Sequence, residues 1–171
     1  MASSNLNKWN YQGLSDVCYG EEIVYQKAAA FLGDTVEDWG CGMGWARYYF
    51  PNYTGLDGSL GFVTKITDLT TYRSNADNIL IRQVLEHSSD WKKILQNALL
   101  SFQKKLCITI HTPISETLTN NIVMNANNIP DISFKLSDIT GSFQNCTITT
   151  EVVPTRFEYG SELIIYITKN V

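Results

Sequence analysis

Three glycines at alternate positions follow a short β-prone run and a carboxylate near the first quarter of the chain. Residues 35–44 read TVEDWGCGMG, in which Asp38 precedes Gly40, Gly42 and Gly44. A strand-to-helix turn rich in glycine has few side chains to hold a ligand away from its backbone. The segment therefore predicts the floor of a site for a nucleoside-type cofactor. Its glycine spacing is tighter than the G-x-G-x-x-G of dinucleotide-binding folds, which disfavours a nicotinamide cofactor.

Further polar residues follow the later strand-like runs. Asp57 ends one such run 17 positions after the first glycine of the turn, and a carboxylate there can accept hydrogen bonds from both hydroxyls of a ribose. Asp68 follows a weaker run, while Glu86 with His87, and then His111, follow two apolar runs. Because ligands of a doubly wound sheet bind beyond the carboxyl ends of its strands, we expect these residues to share one edge.

Helical and strand-like patterns alternate along the chain. The predicted helices cover 21–32, 44–50, the segment from Ser88 or Ser89 to Phe102, and 136–143, and the predicted strands cover 36–39, 53–56, 64–67, 78–82 and 106–110. The apolar run 78–82 is typical of a strand covered on both faces. The Asn- and Thr-rich segment 114–131 has poor periodicity and is predicted to be a loop with one helical turn. Two β-branched runs, 146–153 and 162–168, predict an antiparallel hairpin.

This alternation predicts an α/β fold. Strands alternating with helices require right-handed crossovers and a parallel, doubly wound sheet, which the C-terminal hairpin would close in the antiparallel sense. A chain of 171 residues with 44% apolar content supports one domain, 1–171, with a sizeable core. Its expected parts are an N-terminal lid and helix (1–33), a cofactor-binding half (34–113), and a substrate-side loop with the hairpin (114–171).

Composition limits the partners and the compartment. The net charge of −4 comes with no basic stripe, so nucleic acid is disfavoured as a substrate. No apolar run approaches the roughly 20 residues of a membrane span. The four cysteines include no C-x-x-C pair, which fits reduced thiols and predicts a cytoplasmic protein.

Four segments, in order and at familiar spacing, carry a family resemblance. They read VEDWGCGMG at 36–44, TGLD at 54–57, VLEH at 84–87 and LCITIHTP at 106–113. Together they resemble successive blocks of the small class I S-adenosylmethionine (SAM)-dependent methyltransferases. The resemblance covers most of the chain and implies a Rossmann-like, mainly parallel sheet of seven strands whose last strand runs antiparallel.

The resemblance also implies a set of cofactor-binding residues. That set is Asp38, Gly40, Gly42, Gly44, Asp57, Asp68, Leu69 and Gln83. The glycine turn would pack under the methionine and ribose portions of SAM, with Asp38 at the amino group and Asp57 at the ribose diol. Asp68 and Leu69 would lie along the adenine.

Methyl transfer asks for positioning more than for reactive side chains. The sulfonium methyl is already activated, so rate acceleration comes mainly from holding an acceptor against it, with a base when the acceptor carries a proton. We predict that His87 or His111, flanked by Glu86, deprotonates or orients a small-molecule acceptor. In the competing interpretation, Glu86 and His87 only form the strand-to-helix turn common in the family, and His111 is a satisfied edge residue.

A bound metal ion is not expected from the sequence. Some relatives that methylate catechols or RNA ends carry a further carboxylate three residues before the Glu-His pair, and Gln83 stands at that position. An amide is a poor ligand for a transition metal, and Glu86, His87 and His111 form no local motif.

Few segments are available to cover the predicted site and select a substrate. The candidates are the N-terminal stretch with Trp9, Tyr11 and Tyr19, the loop after Pro113, and the 154–161 connection with Arg156 and Tyr159. Such a small cover suggests a small acceptor, or a protein partner or second copy that completes the site. Arg156 is a candidate for holding a carboxylate or phosphate of the acceptor.

Two other classes of function remain open. A SAM-binding protein without transferase activity, acting as a regulatory partner, would keep the glycine turn and Asp57 but lack a working acceptor pocket. A nicotinamide-dependent oxidoreductase is disfavoured by the glycine spacing and by the lack of a recognisable hydride-transfer site.

Overall fold

The fold was analysed in a computed structural model. It describes residues 21–59, 64–119, 121–124, 129–156 and 158–170. The helices are α1 (Glu22–Leu32), α2 (Trp91–Ser101) and α3 (Leu136–Thr140), with short 3-10 helices at Trp45–Tyr48 and Leu85–His87. The strands are β1 (Thr35–Trp39), β2 (Asn52–Asp57), β3 (Lys65–Ile66), β4 (Asn78–Arg82), β5 (Lys105–Ile110), β6 (Asn121–Met124), β7 (Pro130–Ser133), β8 (Cys146–Pro154) and β9 (Ser161–Lys169).

Within the described residues, seven strands form one mixed sheet in the order β3-β2-β1-β4-β5-β9-β8. Strands β1 to β5 run parallel to one another, while β9 pairs antiparallel with β5 and with β8. The chain first builds outward from β1 to β3 and then returns to place β4 on the other side of β1. This reversal of strand order opens a crevice beyond the carboxyl ends of β1 and β4.

Hydrophobic side chains cover both faces of the sheet. In β4, Ile79 and Ile81 face one core, together with Trp91 of α2. Leu80, between them in sequence, faces the second core with Val24 of α1. This alternation explains why Ile79, Leu80 and Ile81 are apolar in succession, as expected for a strand buried on both sides.

The sequence prediction was wrong for residues 114–131. Instead of a loop with a helical turn, β6 and β7 pair as a separate antiparallel hairpin. The hairpin is fixed to the main sheet where β5 ends, because Thr112 Oγ1 donates to the carbonyl of Ile132 at 2.6 Å and the amide of Ser115 donates to the carbonyl of Phe134 at 2.8 Å. The hairpin therefore lies beside the carboxyl end of β5.

Smaller differences concern two predicted helices. The predicted helix over 44–50 is a single 3-10 turn, Trp45–Tyr48. Helix α2 begins after Asp90, which takes the N-cap position predicted for Ser88 or Ser89, while Ser88 Oγ accepts a hydrogen bond from the Asp90 amide at 3.2 Å. None of the helices in the described ranges is both long enough and apolar enough to cross a lipid bilayer.

Candidate functional site

The glycine turn after β1 approaches the neighbouring chain closely. Gly40, Gly42 and Gly44 have φ angles of 77°, 51° and 66°, in the left-handed region that favours glycine. A Cβ at Gly40 would lie 2.3 Å from Cγ2 of Val84, which follows β4. The amides of Gly40 and Cys41 both donate to the carbonyl of Leu56 in β2, at 2.7 and 3.0 Å. The turn is thus held between β2 and the segment after β4.

Asp57 secures the turn from the end of β2. Its Oδ2 accepts a hydrogen bond from the amide of Gly42 at 2.8 Å, and its Oδ1 accepts one from the amide of Ser59 at 2.8 Å. Burial raises the pKa of Asp57, and these backbone hydrogen bonds oppose that rise. Since each carboxylate oxygen has two acceptor sites, Asp57 retains capacity for further donors such as ribose hydroxyls.

Asp38 is a buried carboxyl group beside the glycine turn. Its Oδ2 accepts a hydrogen bond from the Tyr53 hydroxyl at 2.8 Å. Burial raises the pKa of Asp38 to about 7, although the Tyr53 hydrogen bond and the positive charge of Arg82 act in the opposite direction. Asp38 therefore changes charge near neutral pH, and a nearby ammonium group would favour its ionised form.

The other predicted cofactor residues have clear local roles. Asp68 Oδ1 accepts hydrogen bonds from the amide and hydroxyl of Thr70, at 2.9 and 2.7 Å, and so shapes the turn after β3. Leu69 is buried in the core. Gln83 has a φ of 52°, which is uncommon for a residue with a side chain, and such conformations cluster at functional sites.

Glu86 and His111 form a buried pair at the ends of β4 and β5. Glu86 has no exposed surface, and its Oε1 lies 3.0 Å from the His111 amide nitrogen and 2.9 Å from His111 Nδ1. Although burial acts in the opposite direction, the hydrogen bond from His111 and the charges of His87 and His111 lower the pKa of Glu86. Glu86 in turn raises the pKa of His111, again against the effect of burial.

His87 lies next to His111 and contacts the β6–β7 hairpin. The two imidazole rings have centroids 5.0 Å apart. His87 Nδ1 is 3.2 Å from the carbonyl oxygen of Pro130 and 3.0 Å from Oδ1 of Asp131. On the far side, the ring of Tyr159 lies 5.5 Å from that of His111. Four polar side chains from three segments of the chain thus meet beside the Tyr159 ring.

Three solved structures with a similar architecture cover most of the chain. A 1,6-didemethyltoxoflavin-N1-methyltransferase from Burkholderia thailandensis, with bound 1,6-didemethyltoxoflavin and S-adenosylhomocysteine, has a TM-score of 0.70 and 17% identity, covering 88% of this chain and 80% of its own. The magnesium protoporphyrin IX methyltransferase of Synechocystis with bound SAM has a TM-score of 0.59 and 16% identity, and the match covers 87% of this chain and 77% of that enzyme. The [4+2]-cyclase SpnF has a TM-score of 0.61 and 15% identity, and the match covers 87% of this chain and 81% of the cyclase. No protein-family model and no curated protein sequence matches the chain significantly.

The chain has the fold of class I SAM-dependent methyltransferases. The mainly parallel sheet of seven strands whose last strand, β9, runs antiparallel was expected from the family resemblance and is confirmed. At this level of identity the likeness establishes the fold, and one of the three similar structures is a cyclase by name. The reaction has to be argued from the residues of the site.

Within this methyltransferase fold, the predicted site residues fall into two groups. The glycine turn, Asp38 and Asp57 lie at the ends of β1 and β2, and Glu86, His87 and His111 lie at the ends of β4 and β5. Sequence reasoning missed Asp131, because the segment that carries it was expected to be a loop. The sequence signal is weak, since residues 130–134 (PDISF) alternate apolar and polar side chains but form a short run that begins with proline.

Arg156 makes a different contact from the one proposed for it. Its Nε and its backbone amide lie 3.1 and 2.9 Å from Oε1 of Glu21, just before α1. The arginine therefore ties the 154–161 connection to the start of that helix. Trp9, Tyr11 and Tyr19, the other predicted covering residues, lie outside the described residues.

Proposed function

We propose that the protein is a SAM-dependent methyltransferase that transfers the methyl group to a small-molecule acceptor by in-line displacement. The observation that carries this proposal is the close packing of Gly40 against Val84. This contact joins the glycine turn, whose lack of side chains suits a nucleoside cofactor, to the segment after β4 that carries the polar cluster. A cofactor on the turn and an acceptor at the cluster would be neighbours.

In this proposal SAM lies across the crevice between β1 and β4. The glycine turn supports the methionine and ribose portions, Asp57 accepts hydrogen bonds from the ribose hydroxyls, and Asp38 faces the α-amino group. Asp68 and Leu69 follow β3, on the side expected for the adenine, and Gln83 borders the crevice from β4. Bound SAM and S-adenosylhomocysteine in similar solved structures support this choice of cofactor.

The reaction is a displacement at the sulfonium methyl. A lone pair on an acceptor oxygen, nitrogen or carbon forms a new bond to the methyl carbon as the carbon–sulfur bond breaks, and sulfur keeps the bonding pair as a neutral thioether. A proton leaves the acceptor when it carries one. We assign its removal, or the orientation of the acceptor, to His87 or His111. The buried Glu86 carboxylate holds the His111 ring, with Nδ1 turned toward it.

A small acceptor is consistent with the net charge of the chain and with the few elements that surround the site. The chain carries a net charge of −4, which disfavours a polyanionic acceptor such as nucleic acid. In the described chain, Tyr159 and the β6–β7 hairpin lie beside the cluster. A protein partner or a second copy of the chain remains a proposed means of completing the site.

Calorimetry and a transfer assay test the proposal. Titration with SAM should show one binding site that weakens at least about tenfold in Asp57→Asn, because the amide lacks the charge and one acceptor oxygen of the carboxylate. Asp77→Asn, the same change at an exposed position before β4, should bind normally.

A radiolabelled-methyl screen over small hydroxyl- and amine-bearing acceptors then separates an enzyme from a binding protein. SAM binding without transfer to any acceptor would favour the regulatory alternative. Binding of NADH in preference to SAM would favour the oxidoreductase and contradict the proposal.

A further inference from the structure

Four side chains with metal-ligating atoms meet beyond the ends of β4 and β5. Glu86, His87 and His111 each offer a ligand atom, and these atoms lie within 4.8 Å of one another. Asp131 of β7 adds a carboxylate, with Oδ1 3.0 Å from His87 Nδ1. We propose that these four residues, the Glu86 cluster, bind a divalent transition-metal ion.

Two carboxylate oxygens of the Glu86 cluster are buried without a hydrogen-bond donor. Among the described residues, neither Glu86 Oε2 nor Asp131 Oδ1 has a hydrogen-bond partner, and Glu86 is completely buried. Asp131 Oδ1 and His87 Nδ1 are therefore close in space, but their geometry is not that of a hydrogen bond. Buried carboxylate oxygens are costly unless they are paired, and such atoms in native proteins call for a bound ion or water. A single cation between them would satisfy both.

A positively charged side chain is the alternative way to balance the two carboxylates. Nearby Arg82 does not offer a simple substitute, because its guanidinium bonds Glu162 at 3.1 Å. One divalent ion neutralises Glu86 and Asp131 together and leaves both imidazoles neutral, which is the form that coordinates metals.

The donor set indicates the class of ion. Two imidazoles with two carboxylates suit first-row transition ions such as Zn²⁺ or Mn²⁺ better than Mg²⁺ or Ca²⁺, which prefer oxygen ligands. The sequence predicts no metal because Gln83 replaces a carboxylate found in some relatives. In the folded chain, Asp131 supplies a second carboxylate from a different element.

The catalytic consequence of this site rests on the proposed function, whereas metal binding itself does not. A cation at the Glu86 cluster would coordinate an acceptor hydroxyl and lower its pKa, so that the hydroxyl would lose its proton to solvent and the oxygen would attack the methyl carbon as the carbon–sulfur bond breaks. As ligands of that cation, His87 and His111 would fill the orienting role assigned to them in the proposed function.

Metal titration of the untagged full-length protein tests the site. After treatment with a chelator and dialysis, Zn²⁺ and Mn²⁺ are titrated separately in a calorimeter, and bound metal is counted by elemental analysis after gel filtration. One equivalent should bind. Asp131→Asn and His111→Ala should each weaken binding by at least about tenfold, as expected for the loss of a ligand or of its support.

Three further variants make the outcome decisive. Asp77→Asn repeats the Asp131 change on an exposed surface and should bind metal normally, as should Cys41→Ser, which removes the half-buried thiol of the glycine turn. Glu86→Gln keeps the shape of the buried side chain and should also lose binding, with circular dichroism confirming the fold. No stoichiometric binding, or binding unchanged in Asp131→Asn, His111→Ala and Glu86→Gln, would overturn the proposal.

SAM titration of the same variants separates this proposal from the proposed function. Asp131→Asn should lose metal and keep SAM affinity, and Asp57→Asn should show the opposite pattern. Absence of SAM binding in the unmodified protein contradicts the methyltransferase proposal and leaves the metal site standing.

Discussion

Val84 Cγ2 lies 2.3 Å from the point where a Cβ on Gly40 would stand. The contact bridges the place where the strand order reverses, between the turn after β1 and the segment after β4. Val84 is also two residues before Glu86 in the chain. A shift of the glycine turn would therefore displace Val84 and, through it, the polar cluster. We expect SAM binding and acceptor binding to be coupled.

Replacing Gly40 with alanine should weaken SAM binding by at least about tenfold. The added methyl group cannot coexist with Val84 unless the Val84 side chain, the turn or the segment after β4 moves, and the positive φ of 77° adds strain. Calorimetric titration with SAM measures the effect.

Gly33→Ala is the matched control for this change. Gly33 also has a positive φ, 88°, but a Cβ there would meet no atom within 4 Å. Its variant should lose a similar small amount of stability from backbone strain and keep its affinity for SAM. Equal SAM affinities in the two variants would show that the Gly40 contact does not shape the cofactor site.

SAM affinity should depend on pH through Asp38. The pKa of Asp38 is raised to about 7 by burial, so the group is protonated and uncharged below that pH and attracts the ammonium of SAM less strongly. Affinity should therefore fall as the pH drops below about 7, by up to about tenfold per unit. Titrations between pH 6 and pH 8 measure this, and Asp38→Asn should show a flat profile.

Two further observations check the assignment to Asp38. Tyr53→Phe removes a hydrogen bond that lowers the pKa of Asp38, so the midpoint of the profile should move to higher pH. Without SAM, the folded protein holds this proton to a higher pH than the unfolded chain, so Asp38 should reduce stability as the pH rises from 3.8 to about 7. A pH profile that persists in Asp38→Asn would assign the dependence to another group.

Local sequence patterns predicted the sheet well where each pattern is complete within one element. The run 78–82 coincides with β4, and the two β-branched runs 146–153 and 162–168 became β8 and β9 with one or two more residues. These strands are buried or paired along their length, so their composition reflects the fold directly.

The missed parts of the site depend on contacts between distant segments. β7 has four residues and begins with a proline, so little in its composition marks it as a strand, and Asp131 reaches His87 only after the hairpin packs on the end of β5. The sequence also gives no indication that Glu86 Oε1 lies within 3.0 Å of the backbone amide nitrogen and of the ring nitrogen Nδ1 of His111. Periodicity places a residue on an element, but it does not say which elements meet.

His111→Ala and His87→Ala should lower the rate of methyl transfer by about 100-fold or more, the usual effect of losing general acid–base assistance. SAM affinity should change little, because both histidines lie at the acceptor end of the site. Steady-state kinetics with an identified acceptor measure the first effect and calorimetry the second. Unchanged turnover in both variants would eliminate a catalytic role for the histidines and favour the purely structural interpretation of the Glu86-His87 turn.

Breaking the buried ion pair between Arg82 and Glu162 by removing one charge should be strongly destabilising. Arg82 Nη2 lies 3.1 Å from Glu162 Oε1, and Glu162 has no exposed surface. Glu162→Gln keeps the volume of the side chain but leaves the guanidinium charge unbalanced, so it should lower the free energy of unfolding by about 3 kcal/mol.

Glu151→Gln makes the same change in the neighbouring strand β8. There Lys27 pairs with Glu151 at 2.7 Å with the two side chains 33% and 40% exposed, so solvent screens the pair and the loss should be much smaller. Urea unfolding followed by circular dichroism measures both, and equal losses in the two variants would show that burial does not set the strength of the Arg82–Glu162 pair.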